Sequence, residues 1–175
     1  ARLLVSKLDA AYVNLTEFAQ REHLTLGKDK KRNSIIFDEK RMKTRIGKII
    51  GNTEKDIIID GHYAANAVPK KLVTHVFVLR RDPIELRNTM EKCGFSGQKL
   101  WENLAAEILD VCLFDALKVH GEGKVCEIDT SGNKPEETVN DILEILGNRG
   151  KCRIGCVDWV GKLETEGLLG EYLKI

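Results

Sequence analysis

The sequence predicts an α/β fold in which a mostly parallel sheet lies between two layers of helix. Short apolar runs bounded by turn residues recur at 12–15, 57–60, 73–79, 125–128 and 154–157. Those at 57–60 and 73–79 are almost continuously apolar rather than alternating, as a strand covered on both faces requires. Stretches with helical spacing fall between them at 38–50, 83–92, 99–119 and 135–146, and strands that alternate with helices pair in parallel through crossovers.

Taken in order, Leu3, Leu4 and Leu8 share one helical face with no capping residue before them. The chain is therefore expected to open inside a helix, as a truncated start. A strand at 12–15 follows, then a basic run at 27–34 that reads as a solvated loop or as an anion site. The strand at 57–60 ends on Asp60-Gly61-His62, and that at 73–79 ends on Arg80-Arg81-Asp82-Pro83. Asp82 suits an N-cap and Pro83 the first helical position. Along 99–119, Leu100, Leu104, Ile108 and Val111 make an apolar stripe beside the polar flank of Lys99, Asn103, Glu107 and Asp110. Residues 92–98, with Gly94 and Gly97, lie between two helices and suit a lid. The tail from Gly161 onward reads as mobile surface.

A chain of 175 residues, 42% hydrophobic and 31% charged, fits one compact domain with its own core. Lys and Arg number 28 against 27 Asp and Glu, so no global field favours a membrane surface, and no direct nucleic-acid binding is expected. No run of about 18 apolar residues marks a membrane span, and the N-terminus is too charged for a signal peptide. Five cysteines without a Cys-x-x-Cys pair point to a reducing, cytoplasmic setting. Cys152 and Cys156 read as small buried residues rather than half a zinc site.

Three segments offer chemistry. Asp60 stands at the carboxyl end of a buried strand, where open α/β sheets bind ligands, and its carboxylate suits Mg²⁺ held through water; Asp-Gly is also a common turn. His62 is placed to position a water or a phosphate, or is simply an exposed loop histidine. Arg80 and Arg81 present forks that match phosphate oxygens, or form a charged strand exit. The loop at 128–135, ending in Lys134 and Pro135, suits backbone recognition of an adenine, although its residues also open helices.

The order of these pieces resembles one family. Tyr12-x-Asn14-Leu15, Phe37-Asp38-Glu39, Ile58-Ile59-Asp60-Gly61-His62, Val76 to Arg80, Gly94-Phe95-Ser96 through Asn103 and Glu107, Glu127 through Pro135, and Arg153 through Trp159 together are similar to adenylate-kinase-like proteins of archaea and to the eukaryotic adenylate kinase isoenzyme 6 type. The resemblance covers roughly 1–160. It implies a P-loop kinase fold in a single domain, with a nucleoside monophosphate-binding part at 14–37, a short lid at 92–102 and a tail at 161–175. It implies ATP and Mg²⁺ as cofactors and γ-phosphoryl transfer to AMP or a related monophosphate. ATPase activity and a role in small ribosomal subunit maturation, with a small-subunit ribosomal protein as partner, follow from the same resemblance, as does a cytoplasmic location, or a nuclear one in a eukaryote. Asp60 and His62 match the family's Asp-x-His element, with Asp60 holding Mg²⁺ through water. Asn14 and Asp38 fall at the monophosphate site, and Arg80, Lys92, Lys134 and Pro135 on the cofactor side.

Two departures stand out. The family's first strand and glycine-rich phosphate loop are missing, which is expected to reflect a truncated record. Thr89 and Cys93 stand where the family's lid has arginines, leaving Lys92 or Arg87 as substitutes. The alternative reading is a non-catalytic degenerate relative that acts as a ribosome-assembly binding module.

Overall fold

The computed structural model describes residues 1–29 and 34–174. These divide into two compact units, Ala1–Val76 and Phe77–Ile175. Both mix helices and strands, as predicted.

The first unit opens with α1 (Arg2–Leu8), whose start at Ala1 has no side-chain cap. β1 (Ala11–Asn14) leads into α2 (Leu15–Arg21), and a crossover through α3 (Glu39–Gly51) returns to β4 (Ile57–Asp60). β1 and β4 pair in parallel, with Ala11 opposite Ile57 and Asn14 opposite Asp60. The crossover also contains a hairpin that sequence reasoning missed. β2 (Thr25–Asp29) pairs antiparallel with β3 (Ser34–Phe37), so the ends of the expected loop at 27–34 are strands. Residues 30–33, the heart of that basic run, lie outside the described residues. A short helix α4 (Ala64–Ala67) completes the unit. Leu15, Phe18 and Ala19 of α2, Met42 and Ile46 of α3, and Ala67 make one buried cluster with Leu24 and Val68.

The second unit holds β5 (Val76–Arg80), which begins at the boundary, and β6 (Val125–Asp129) beside it. Its helices are α5 (Pro83–Lys92), α6 (Gly97–Ile108), α7 (Val111–His120), α8 (Pro135–Leu146), α9 (Trp159–Thr165) and α10 (Leu169–Tyr172). β6 is buried along four of its five residues, as a covered strand should be. The continuous cover expected of the other two strands is only partial. β4 is half-buried throughout, and Leu79 on β5 is 49% exposed. Among the described residues the strands form three two-stranded sheets, so β4 and β5 each have a single neighbour.

Four further expectations change. The strand at 73–79 starts only at Val76. The run at 154–157 is not a strand, although Glu127 N–H donates to Arg153 C=O at 2.9 Å, which lays that segment along β6. The long helix at 99–119 breaks between Ile108 and Val111, where Asp110 adopts a left-handed backbone with φ of 57°. The tail is folded rather than mobile: Leu163 and Tyr172 bury themselves against Ile108 and Trp159.

The cysteine reading also changes. Cys126 and Cys152 are joined by a disulfide, and Cys152 and Cys156 are exposed rather than buried. The partner of Cys126 is 26 residues away and reaches it only because 152–156 lies beside β6. Partial loss of water around its sulfur first and Glu127 second push the Cys156 thiol up to about 11, although the residue as a whole is exposed.

Helix starts obey the predicted capping chemistry. Asp82 Oδ1 accepts from Ile84 N–H at 2.8 Å and Glu85 N–H at 3.2 Å, with Pro83 at the first helical position. Its other oxygen pairs with Lys162 of α9. Burial works against the Asp82 charge, but Lys162 and the two N–H donors outweigh it and hold the carboxyl below its ordinary range. A depressed folded pKa gives stability that is present above the unfolded value of about 4 and is lost as pH falls through the folded value. Asp82→Asn, which keeps an oxygen acceptor but no charge, is expected to flatten this part of the pH dependence. Urea midpoints between about pH 2 and 5 measure it, and curves of unchanged slope would show that Asp82 does not contribute.

Candidate functional site

In the first unit Asn14, Asp60 and His62 fall at the carboxyl ends of β1 and β4, whereas Asp38 opens α3. Parallel register sets Asn14 beside Asp60. Tyr12, two residues before Asn14 and therefore on the same strand face, donates its hydroxyl to Asp60 Oδ2 at 2.8 Å. That bond fixes the carboxylate and leaves Oδ1 without a hydrogen-bond partner among the described residues. Gly61 then turns the chain with φ of 149°. A side chain at Gly61 would meet Leu15 Cβ at 3.2 Å, so glycine is required for both conformation and space. His62 is exposed beyond it, its ring 5.8 Å from that of Tyr63 in an edge-on contact.

Asn14 and Asp38 each have a structural duty here. Asn14 Oδ1 accepts from Glu17 N–H at 3.0 Å as the cap of α2, and Asp38 Oδ1 accepts from Arg41 N–H at 2.9 Å as the cap of α3. The Asn14 amide group and one Asp38 oxygen are not used by these caps. Tyr12 is the residue that sequence reasoning passed over as part of the site, although its period-two spacing from Asn14 was a usable signal.

In the second unit Arg80 departs from its expected role. It is 1% exposed, and a ring of carboxylates takes its fork. Nε donates to Glu107 Oε1 at 2.8 Å, Nη1 pairs with Glu127, and Nη2 pairs with Asp110 and donates to the Glu107 carbonyl at 2.9 Å. Burial opposes the Arg80 charge, but Glu107 and then Asp110 raise its pKa beyond the ordinary value. Three carboxylates against one guanidinium leave excess negative charge, which neutral donors absorb. Trp159 Nε1–H donates to Glu107 at 2.8 Å, Arg81 N–H to the same oxygen at 3.2 Å, and Cys156 N–H to Glu127 Oε2 at 2.9 Å. Arg80 is therefore the hub of a buried network and does not offer its fork to a phosphate. Arg81 has one arm on Glu85 at 3.0 Å.

The loop after β6 closes on itself and on β5. Thr130 N–H and Oγ1 donate to the Arg80 carbonyl at 2.8 and 2.7 Å, and Ser131 N–H donates to Asp129 Oδ1 at 2.9 Å. Gly132 N–H reaches Glu85, and Asp82 N–H donates to Ser131 Oγ at 2.7 Å. Lys134 N–H donates to Glu137 at 2.6 Å, and Pro135 opens α8, with both residues exposed. The loop is thus a rigid backbone surface bearing Lys134 at its rim. Lys92 closes α5 and is exposed, apart from that loop in the sequence.

No protein-family model matches the chain. It is 34% identical over 165 residues to a protein of Methanococcus maripaludis named "Putative adenylate kinase", covering 91% of this chain and 87% of the relative. Proteins with the same name from Methanocaldococcus jannaschii, 34% identical over 93% of this chain and 85% of the relative, and Pyrococcus furiosus, 35% identical over 91% and 82%, are similar throughout. The chain belongs to the adenylate-kinase-like family. The α/β architecture, with its parallel β1–β4 pair and its helices, agrees with the P-loop kinase-like fold of that family. In this adenylate-kinase-like protein Asp60 is the last residue of β4. No helix among the described residues is long and apolar enough to cross a membrane.

Proposed function

We propose that this protein is a Mg²⁺-dependent nucleoside monophosphate kinase that transfers the γ-phosphoryl group of ATP to AMP. The observation that carries the reading is Asp60, held by Tyr12 at the carboxyl end of a parallel strand in register with Asn14. Its donor chemistry fits Mg²⁺, which keeps most of its waters and takes one or two carboxylates together with substrate phosphates. Asp60 Oδ1 would accept from a metal-bound water while the Tyr12 hydroxyl keeps the carboxylate from rotating. Mg²⁺ supplies neutralisation of charge on the phosphates.

In the transfer an AMP phosphate oxygen forms a bond to the γ-phosphorus as the bond to the β-bridging oxygen breaks, and two ADP result. The protein's work is placement and exclusion of water. The Asn14 amide lies in the part assigned to the monophosphate, 14–37, the spare Asp38 oxygen follows directly after it, and His62 orients water. Lys134 and Pro135 border the nucleotide, and Lys92 supplies the charge of the lid at 92–102. The reading takes 1–175 as one kinase domain in the cytoplasm, with ATP hydrolysis as a side reaction and a small-subunit ribosomal protein as a partner, on the strength of the ordered motifs.

A second reading, a nucleotide-binding module without turnover, is favoured by Thr89 and Cys93 in the lid and by the occupied fork of Arg80. The test is ADP formation from ATP with Mg²⁺, with and without AMP. AMP-dependent ADP formation is expected. Binding of ATP without any ADP would select the second reading, and ADP formed equally without AMP would leave only an ATPase.

A further inference from the structure

Arg87 is not the spare lid cation that its sequence position suggested. It leaves α5 five residues before that helix ends, and its guanidinium carbon lies 5.1 Å from the ring centre of Trp101 on α6 and 5.3 Å from that of Tyr172 on α10. Nη1 donates to Glu171 Oε1 at 2.7 Å and Nε to Glu91 Oε1 at 3.1 Å. Lys174 adds a second cation over Trp101, with Nζ 4.0 Å from the ring centre. Tyr172 is itself 6% exposed, packed with Ile108, Trp159 and Leu163. One side chain therefore ties together three helices, two of which flank the segment 93–96.

That segment has the backbone of a hinge. Gly94 and Gly97 sit at φ of 84° and 58°, where other residues are strained, and neither has an atom within 4 Å of the place a Cβ would occupy. The segment touches its own helix through Phe95 N–H to Met90 C=O at 3.0 Å and Gly94 N–H to Glu91 C=O at 3.0 Å. Open space around the two glycines combined with a clamp at the base suits a lid, because the tip's reach is set by the angle between its two supporting helices.

We propose that Arg87 is a positioning residue: with its guanidinium against both Trp101 and Tyr172, it uses α10 to set the angle of α5 against α6 and so orients segment 93–96 as the lid. The inference rests on the kinase reading for the word lid, and on the geometry alone for the clamp. A guanidinium is required, because it lies against two rings while its N–H groups reach Glu171 and Glu91; an ammonium has no such fork. The clamp makes α10 part of the lid's support rather than an appendage.

Hydrogen exchange by mass spectrometry on the whole protein tests the clamp without reference to activity. Arg87→Ala is expected to speed exchange of amides 93–100 by about tenfold, with β6 and α8 unchanged, and Arg87→Lys to recover only part of the protection. Tyr172→Leu, which keeps apolar volume at the buried site, should reproduce the effect if Arg87→Ala folds poorly. Unchanged exchange at 93–100, or an equal rise through the whole second unit, would overturn the proposal. In ADP formation from ATP and AMP, Arg87→Ala is expected to lower kcat at least fivefold with the AMP KM unchanged. Local loosening with kcat intact would show a clamp that does not orient a lid, and so overturn the proposal's second half. A wild-type protein that makes no ADP would defeat the kinase reading while the exchange result still judges the clamp.

Discussion

Replacing Arg80 with methionine is expected to lower the unfolding free energy of the second unit by about 3–5 kcal/mol, because it strands the carboxylates of Glu107, Asp110 and Glu127 around an apolar side chain. The volume is nearly kept, so the loss comes from charge rather than from a cavity. Arg80→Lys retains the charge but cannot reach three partners from one plane, and should fall between methionine and wild type. Both tryptophans, Trp101 and Trp159, lie in this unit, so urea unfolding followed by tryptophan fluorescence reports on it directly. A methionine variant as stable as wild type would mean that the network is neutral, as some buried ion pairs are when replaced by apolar groups. The same variant should disturb the α6–α7 break, since Asp110 holds its left-handed backbone at Arg80.

Asp60→Asn is expected to reduce AMP-dependent ADP formation by about 10² to 10³ in kcat, the scale of losing one preorganised electrostatic group. Stability should change little, because Asp60 is half-buried and an amide oxygen can still accept from Tyr12. Tyr12→Phe is a gentler probe, since the carboxylate stays but loses its orienting bond. Equal kcat for wild type and Asp60→Asn at saturating Mg²⁺ would remove Asp60 from the catalytic assignment. Coincident urea curves for the two proteins would show that a loss of rate is not a loss of fold.

Signals carried by neighbouring residues were fully legible. Helices at 83–92 and 135–146 form where predicted, because Pro83 and Pro135 preset the first-turn dihedral and the Asp82 carboxylate caps from one residue before. The strand ending on Asp60 was equally plain from its isoleucine run. The Tyr12 contact was half legible: alternation put Tyr12 on the correct face, but a partner 48 residues away is a matter of register.

What failed to show in the sequence depends on distant residues. The stripe Leu100, Leu104, Ile108 and Val111 argues for one helix, yet the buried guanidinium of Arg80 holds Glu107 and Asp110 and the chain turns there. A tail rich in glycine and charge looks mobile until Leu163 and Tyr172 are given a surface to cover. Cys126 and Cys152 pair only because the segment after α8 runs along β6. The sequence by itself determined the α/β class and the helix starts and strand ends that carry Asp60, since these follow from local propensity and periodicity, and the order of its motifs resembled the family. Tertiary structure alone decided that Arg80 is a hub rather than a phosphate ligand and that Arg87 is held by two rings and two carboxylates rather than free. The side chain of arginine is long and always charged, so its role depends on which carboxylates and rings the fold brings within its reach.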